Sequence, residues 1–501
     1  MVHKKKNRSH KKSFVATSRT VAIKVVQQVR HGNTAVQAAL DREFGATHLS
    51  GEERPLCTEL VYGTLRNFMR LESFLRRFLE DFDGLPVGMQ MTLCVALYEL
   101  FYTRIPVYAT VDTYVGIVMS QFGPALGKVA NAVLRNADRA RDDFYDYAGY
   151  VASSSSEEQA TAMWYSVPEW LVRLWQKSYG HEVTKQYLEA SARPAPHSLR
   201  FNLQAQGAQE AFAHLYPYTI ASLTHEGGEF DTDVAHLQGT ESPNSGGRGD
   251  KEEGGQLSLQ SVSEEEIQAQ WAQMAHNPLV TFSGSLPLVA QKFIREGIVS
   301  QQSGAAQEVL AAMQPSLWKG PVWDCCCGRG GKTLALLEQG IDVVLASDVS
   351  SARLRGLESE LKRLKLDTAC HIEKISATKG LTETEFYKTY GKQTFGTILI
   401  DAPCSGFGTL ARHPEIRFRR NLDDIATLVR LQREMLENAH AHVEEGGSIV
   451  YITCTVIPEE NEEQIAQFIA DYPNMQKAEV FATPSDSLYG EFFYGVRLIK
   501  G

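Results

Sequence analysis

The chain has 501 residues, 43% hydrophobic and 22% charged, the balance of a globular protein with room for two or three domains. No stretch reaches the roughly 18 consecutive apolar residues of a membrane helix, the basic start MVHKKKNRSHKK leads into no apolar signal segment, and eight cysteines without paired CxxC spacing indicate neither a disulfide framework nor a metal site. A monomer in a reducing cytoplasm is expected, and the net charge of −10 counts against a nucleic-acid partner only until its distribution is seen: residues 226–266 hold eleven Asp or Glu against two Lys or Arg, which leaves the rest of the chain near −1.

Residues 1–14 read as a basic tail, either solubilising or an arm for phosphates. Residues 15–145 carry helical periodicity. Leu71, Phe74, Leu75, Phe78 and Leu79 fall at i, i+3, i+4, i+7 and i+8, and Leu126, Val129, Ala130, Val133 and Leu134 repeat that spacing. Each set is one apolar stripe of an amphipathic helix, so a small all-helical domain is expected. Residues 146–299 read as a linker, VASSSSEEQ, followed by a small α+β segment. Within it, 225–266 is rich in Gly, Ser and acid and is expected to be disordered, because too little apolar surface opposes the entropy of ordering.

From about 300 the rhythm changes. The apolar runs PVWDCCC, DVVLASD, FGTILIDAP and GGSIVYITC alternate with helical stretches such as 352–364 and 423–443. This βα alternation predicts a doubly wound α/β domain over 300–501, with ligands at the carboxyl ends of its strands. WDCCCGRGGKT lies between a strand and a helix. It fails the phosphate-loop pattern, because Cys326 stands where the first glycine belongs, and the dinucleotide fingerprint, because Thr333 takes the third glycine's place. Asp348 closes the next strand, where a carboxylate can bind both ribose hydroxyls. A nucleoside cofactor without a pyrophosphate, S-adenosylmethionine, satisfies both features.

Cys404 follows one strand and Cys454 another, so both sit at the cofactor side of one sheet. A lone strand-end cysteine is usually a packed core residue; two, each abutting a turn, favour chemistry. Carbon 5 of a pyrimidine is a poor nucleophile until a thiolate adds to carbon 6 and makes an enamine-like ring, which then attacks a methyl donor. An acid at ring nitrogen 3 assists, and Asp401 is placed for it. The chemistry does not say which cysteine attacks. Arg412, His413, Arg417, Arg419 and Arg420 follow Cys404 closely and are expected to grip RNA phosphates. The target base must be unstacked to be reached. After Cys454, VIPEENEEQI predicts a helix start whose amino end favours the thiolate.

These residues resemble the Nol/Nop/Sun family of RNA (cytosine-5) methyltransferases, and within it the bacterial Sun/Fmu ribosomal RNA type. DAPCSG, RHPEI, TCT and PEEN occur in family order, with CCCGRGGKT, VSQQSGAAQ and GEFFYGVRLIKG around them. VYGTLRN and the stretch from LYELFYTRIP to NAVLRN resemble the NusB-type helical domain of this subgroup. The resemblance implies Cys454 as nucleophile and Cys404 as the product-release residue. It implies cofactor contacts at Cys326, Cys327, Gly328, Arg329, Gly330, Gly331, Lys332, Asp348 and Asp401, no metal, and small-subunit (16S) ribosomal RNA as substrate. Transfer RNA is the alternative substrate, and a catalytically decayed RNA-binding protein the alternative role. Two departures motivate the latter: Arg329 replaces the family's proline in the turn, and HIEKISATKG lacks the aspartate expected near the adenine.

Overall fold

The computed structural model describes residues 17–32, 34–219, 262–274, 279–282, 286–367, 370–391 and 394–501, so the basic tail and most of the acidic segment lie outside the described residues. Two compact units divide the chain. One takes residues up to Glu169 together with His413–Phe418; the other holds most of the remainder.

The first unit is helical. Helices Ser18–His31, Glu53–Arg66, Phe68–Arg76, Val87–Tyr102, Val107–Phe122 and Pro124–Arg139 bury the apolar stripes read from the sequence, among them Leu71, Phe74, Leu75, Val133 and Leu134. Val87–Tyr102 is apolar almost all round and forms the centre of the bundle, as a helix without a polar face must. Its one buried acid, Glu99, is fully paired: Arg19 forms a fork to it, and Thr110 and Tyr114 donate hydroxyls at 2.9 and 3.0 Å. The expected linker is instead two short helices, Tyr147–Ser153 and Glu157–Tyr165, the second capped by Ser156. One of the serines that suggested a loop, Ser156, is the cap itself. Arg70 explains why the unit keeps these helices: its guanidinium lies 3.6 Å from the Trp164 ring centroid and 4.2 Å from that of Phe144.

The second unit contains two sheets. Strands β1 (His197–Phe201), β2 (Leu279–Phe282) and β3 (Val299–Gln301) form a small antiparallel sheet in the order β2-β1-β3. Its apolar face packs on Phe212, Phe293 and Trp271. Trp271 belongs to helix Glu264–Gln273, so the last residues of the expected disordered segment fold. Ser263 caps this helix, and three glutamates occupy its first turn, where the dipole favours them.

The large sheet has seven strands: β4 (Val322–Asp324), β5 (Val343–Ser347), β6 (His371–Glu373), β7 (Phe395–Asp401), β8 (Val443–Thr453), β9 (Met475–Ala482) and β10 (Tyr494–Lys500). Their order is β6-β5-β4-β7-β8-β10-β9; the first five run parallel, and β10 pairs antiparallel with both β8 and β9. β7 is buried along nearly its whole length, as an unbroken apolar run in a parallel sheet requires. The chain winds one way from β4 to β6 and the other way from β7 onward. The switch point therefore lies between the carboxyl ends of β4 and β7, where a doubly wound sheet opens a crevice. The doubly wound domain and the helical domain preceding it are both present, as the sequence led us to expect.

Candidate active site

The turn after β4 fills one side of that crevice. Gly330 N–H donates to Cys327 O at 2.8 Å and closes it. Gly330 has φ +90°, and a side chain there would strike Leu357 at 2.4 Å, so this position admits only glycine. Arg329, where the resemblance led us to expect a proline, is exposed and lies along Gly356 on the neighbouring helix. It stays out of the crevice and leaves the turn closed. Cys325 and Cys327 are buried core thiols, so Cys327 offers a ligand only its backbone. Cys326 is half-buried, with its sulfur 3.9 Å from that of Met435.

Three carboxylates define the crevice. Asp324, at the end of β4, is buried, accepts from Thr333 Oγ1 at 2.6 Å, and is pushed by that burial up to about 7. Asp348, just after β5, accepts from Gly328 N at 3.1 Å and Ser350 N at 2.7 Å. Asp401, ending β7, pairs at 2.7 Å with Lys332, an ammonium only 6% exposed that also lies 5.5 Å from the Phe493 ring centroid. These groups fit S-adenosylmethionine. Asp348 suits the ribose diol, no atom lies within 4 Å of where a Gly328 side chain would begin, and the Lys332–Asp401 pair places one charge of each sign on the crevice wall. Glu373 is occupied in capping the next helix, accepting from Glu385 N and Phe386 N at 2.8 Å each.

The two cysteines meet. Cys404 Sγ lies 3.3 Å from Cys454 Sγ, too far for a disulfide, and Cys454 N donates to Cys404 Sγ at 3.3 Å. β7 and β8 are adjacent parallel strands with Asp401 opposite Ile452, so residues three and two positions further on emerge side by side. Pro403 ends the first ladder because it has no N–H to offer. Gly408, which the sequence pattern did not single out, carries the returning chain past: its N–H donates to Cys454 O at 3.1 Å, and a side chain would lie 2.0 Å from Phe492 O. Cys404 is pushed well above the ordinary thiol value, first by its hydrogen bond with Cys454, then by burial.

The expected arginine grip does not form one cluster. Arg417 is the clear correction: it is 1% exposed inside the helical unit and donates to the carbonyls of Arg66 and, at 3.3 Å, Ser166. Burial lowers its guanidinium to about 9, and a buried arginine facing carbonyls cannot hold a phosphate. Arg412 is committed to the buried Glu491 at 2.8 Å and to Pro196 O at 3.1 Å. His413 is exposed, Arg419 half-buried, and Arg420 half-buried with Nε donating to Ser405 O at 3.3 Å. Arg420 thus lies against the cysteine turn.

Comparison with known proteins agrees with this architecture. Residues 312–493 match the family described as 16S rRNA methyltransferase RsmB/F, 16–139 the NusB family, and 167–228 the ferredoxin-like domain of RsmF/B-like methyltransferases. Ribosomal RNA small subunit methyltransferase B of Vibrio cholerae is 30% identical over 463 residues, covering 92% of this chain and 91% of that protein. A Bacillus subtilis protein described as a probable ribosomal RNA small subunit methyltransferase B is 26% identical over 91% of this chain and 89% of its own. The crystal structure of PH0851 has the same fold, with a TM-score of 0.67 over 97% of this chain and all of that one at 19% identity.

Proposed function

The chain belongs to the RsmB/F family of 16S rRNA methyltransferases, which use S-adenosylmethionine, and from that premise we propose that it methylates carbon 5 of a cytosine in small-subunit ribosomal RNA through a covalent cysteine adduct. One observation carries the reading: two thiols 3.3 Å apart at the ends of adjacent parallel strands, beside the crevice lined by Asp348, Lys332 and Asp401. The cofactor supplies an electrophilic methyl group on a sulfonium. The chain's own residues do the rest. The thiol proton of Cys454 passes by way of the Asp401 carboxylate to ring nitrogen 3 of an unstacked cytosine as Sγ adds to carbon 6, so the carboxylate ends the step ionised as it began. Lys332 holds the Asp401 carboxyl in place. Carbon 5 takes the methyl group, and Cys404 then assists loss of the carbon 5 proton, so that the Cys454–carbon 6 bond breaks and the aromatic product leaves. Arg420 binds a phosphate beside the target base.

Relatives named for ribosomal RNA favour that substrate over transfer RNA. The paired cysteines, and a cofactor turn that closes despite Arg329, count against a decayed enzyme. The test is bisulfite sequencing of total RNA from a deletion strain against its parent, since 5-methylcytosine resists deamination. One 16S cytosine should lose protection; a change confined to transfer RNA, or none at all, removes this reading.

A further inference from the structure

The PEEN stretch ends in two buried polar residues for which the chemistry above has no use. Glu460 is fully buried and Asn461 is 2% exposed. Their contacts divide largely between the two cysteine turns, with Thr455 of the second turn also reaching Glu460. Glu460 Oε2 accepts from Ser405 N at 2.8 Å and from Gln432 Nε2 at 2.9 Å, and the same Gln432 nitrogen donates to Pro403 O at 3.0 Å. The turn is thus held on both sides of Cys404. Asn461 accepts from Thr453 Oγ1 at 2.6 Å and donates to Thr455 O at 2.9 Å, the residues on either side of Cys454. Tyr451, on the core face of β8, donates to Glu460 O at 2.8 Å and fixes the clamp to the sheet. The two turns are joined by the Ser405 and Thr455 hydroxyls, 2.7 Å apart. Burial pushes the Glu460 carboxyl up, opposed by hydrogen bonds from Ser405, Gln432 and Thr455.

We propose that Glu460 and Asn461 are separate positioning residues for the two halves of the reaction, Glu460 aligning Cys404 for product release and Asn461 aligning Cys454 for attack. The inference rests on the cysteine-adduct reading. Neither residue touches substrate; each acts through the turn it holds. A displacement of about 1 Å at a reacting group costs on the order of 100-fold in rate, so each clamp governs its own step.

The experiment uses full-length protein, a 16S rRNA transcript and tritiated S-adenosylmethionine, and reads both methyl transfer and the denaturant-resistant protein–RNA adduct. Cys404→Ser and Cys454→Ala serve as controls. Glu460→Ala should slow turnover on the order of 100-fold and accumulate the adduct, as Cys404→Ser does. Asn461→Ala should lose methyl transfer to a similar degree with no adduct, as Cys454→Ala does, while calorimetric binding of S-adenosylmethionine is retained. Should the alanine variants fail to fold, Gln432→Leu removes both Gln432 contacts of the first clamp and Thr453→Val one contact of the second, and the two must show the same split. A common phenotype at both positions, scaling with loss of thermal midpoint, overturns the proposal in favour of simple structural support. If Cys404→Ser accumulates no adduct, the cysteine reading itself fails; if the controls behave and the clamp variants do not divide, only this inference fails.

Discussion

At the scale of single residues, the proposed chemistry falls to groups whose neighbours are now defined. Cys454→Ala is expected to abolish methyl transfer, and Cys404→Ser to trap the adduct. An adduct formed by Cys454→Ala instead would exchange the two roles. Asp324 gives a prediction in pH. Its carboxyl is held near 7 in the fold by burial, against about 3.9 in an unfolded chain. A raised acid contributes its stability below the unfolded value and loses it as pH rises through the folded one, by up to about 4 kcal/mol here. The protein should therefore lose more thermal stability between pH 5 and 8 than Asp324→Asn, which cannot ionise; parallel curves would refute this. Residue-level reading of the sequence placed Asp401, Cys404 and Cys454 at neighbouring strand ends because such ends are visible as apolar runs that stop. It misassigned Arg417 because a run of four arginines says nothing of which way each side chain turns. Arg417→Ala should lower the thermal midpoint by at least about 4 °C, whereas Arg420→Ala should leave it unchanged and reduce the salt dependence of RNA binding by about one phosphate contact.

At the scale of elements, periodicity located the helices well. Stretches read at 352–364 and 423–443 are helices Ser351–Leu364 and Leu422–His442. What periodicity misses is capping. VASSSSEEQ and the SEEE run have loop composition, yet Ser156 and Ser263 each accept the N–H of the residue three positions on, and a helix starts. Close backbone approach is also invisible in sequence. Gly408 resembles any turn glycine, but its place beside Cys454 O and Phe492 O leaves no room for a methyl group. Gly408→Ala should depress methyl transfer far more than cofactor binding, because it displaces Cys454; equal losses of both would mean a general collapse of the domain.

At the scale of the molecule, long-range pairs decide the assembly. Arg200 on β1 meets Glu338 at 2.6 Å, with both side chains at most 5% exposed, and also donates to Gly331 O at the start of the cofactor-turn helix. Removing one partner of such a buried pair costs about 3–5 kcal/mol. Arg200→Ala should accordingly lower the thermal midpoint and weaken S-adenosylmethionine binding together, and an effect on midpoint alone would separate the small sheet from the cofactor site. No local pattern marked this arginine, since its partner is 138 residues away. A longer separation in sequence governs the helical unit, to which His413–Phe418 belong. Glu415 accepts from Val36 N at 3.3 Å across 379 residues, Phe418 meets Phe68 edge-on, and the Arg30 guanidinium lies over both rings. During synthesis, the unit made first is therefore completed nearly last. It waits with an open seam until residue 418 has left the ribosome, and a fragment starting at Trp170 would carry the insert of that seam with nothing to close it on.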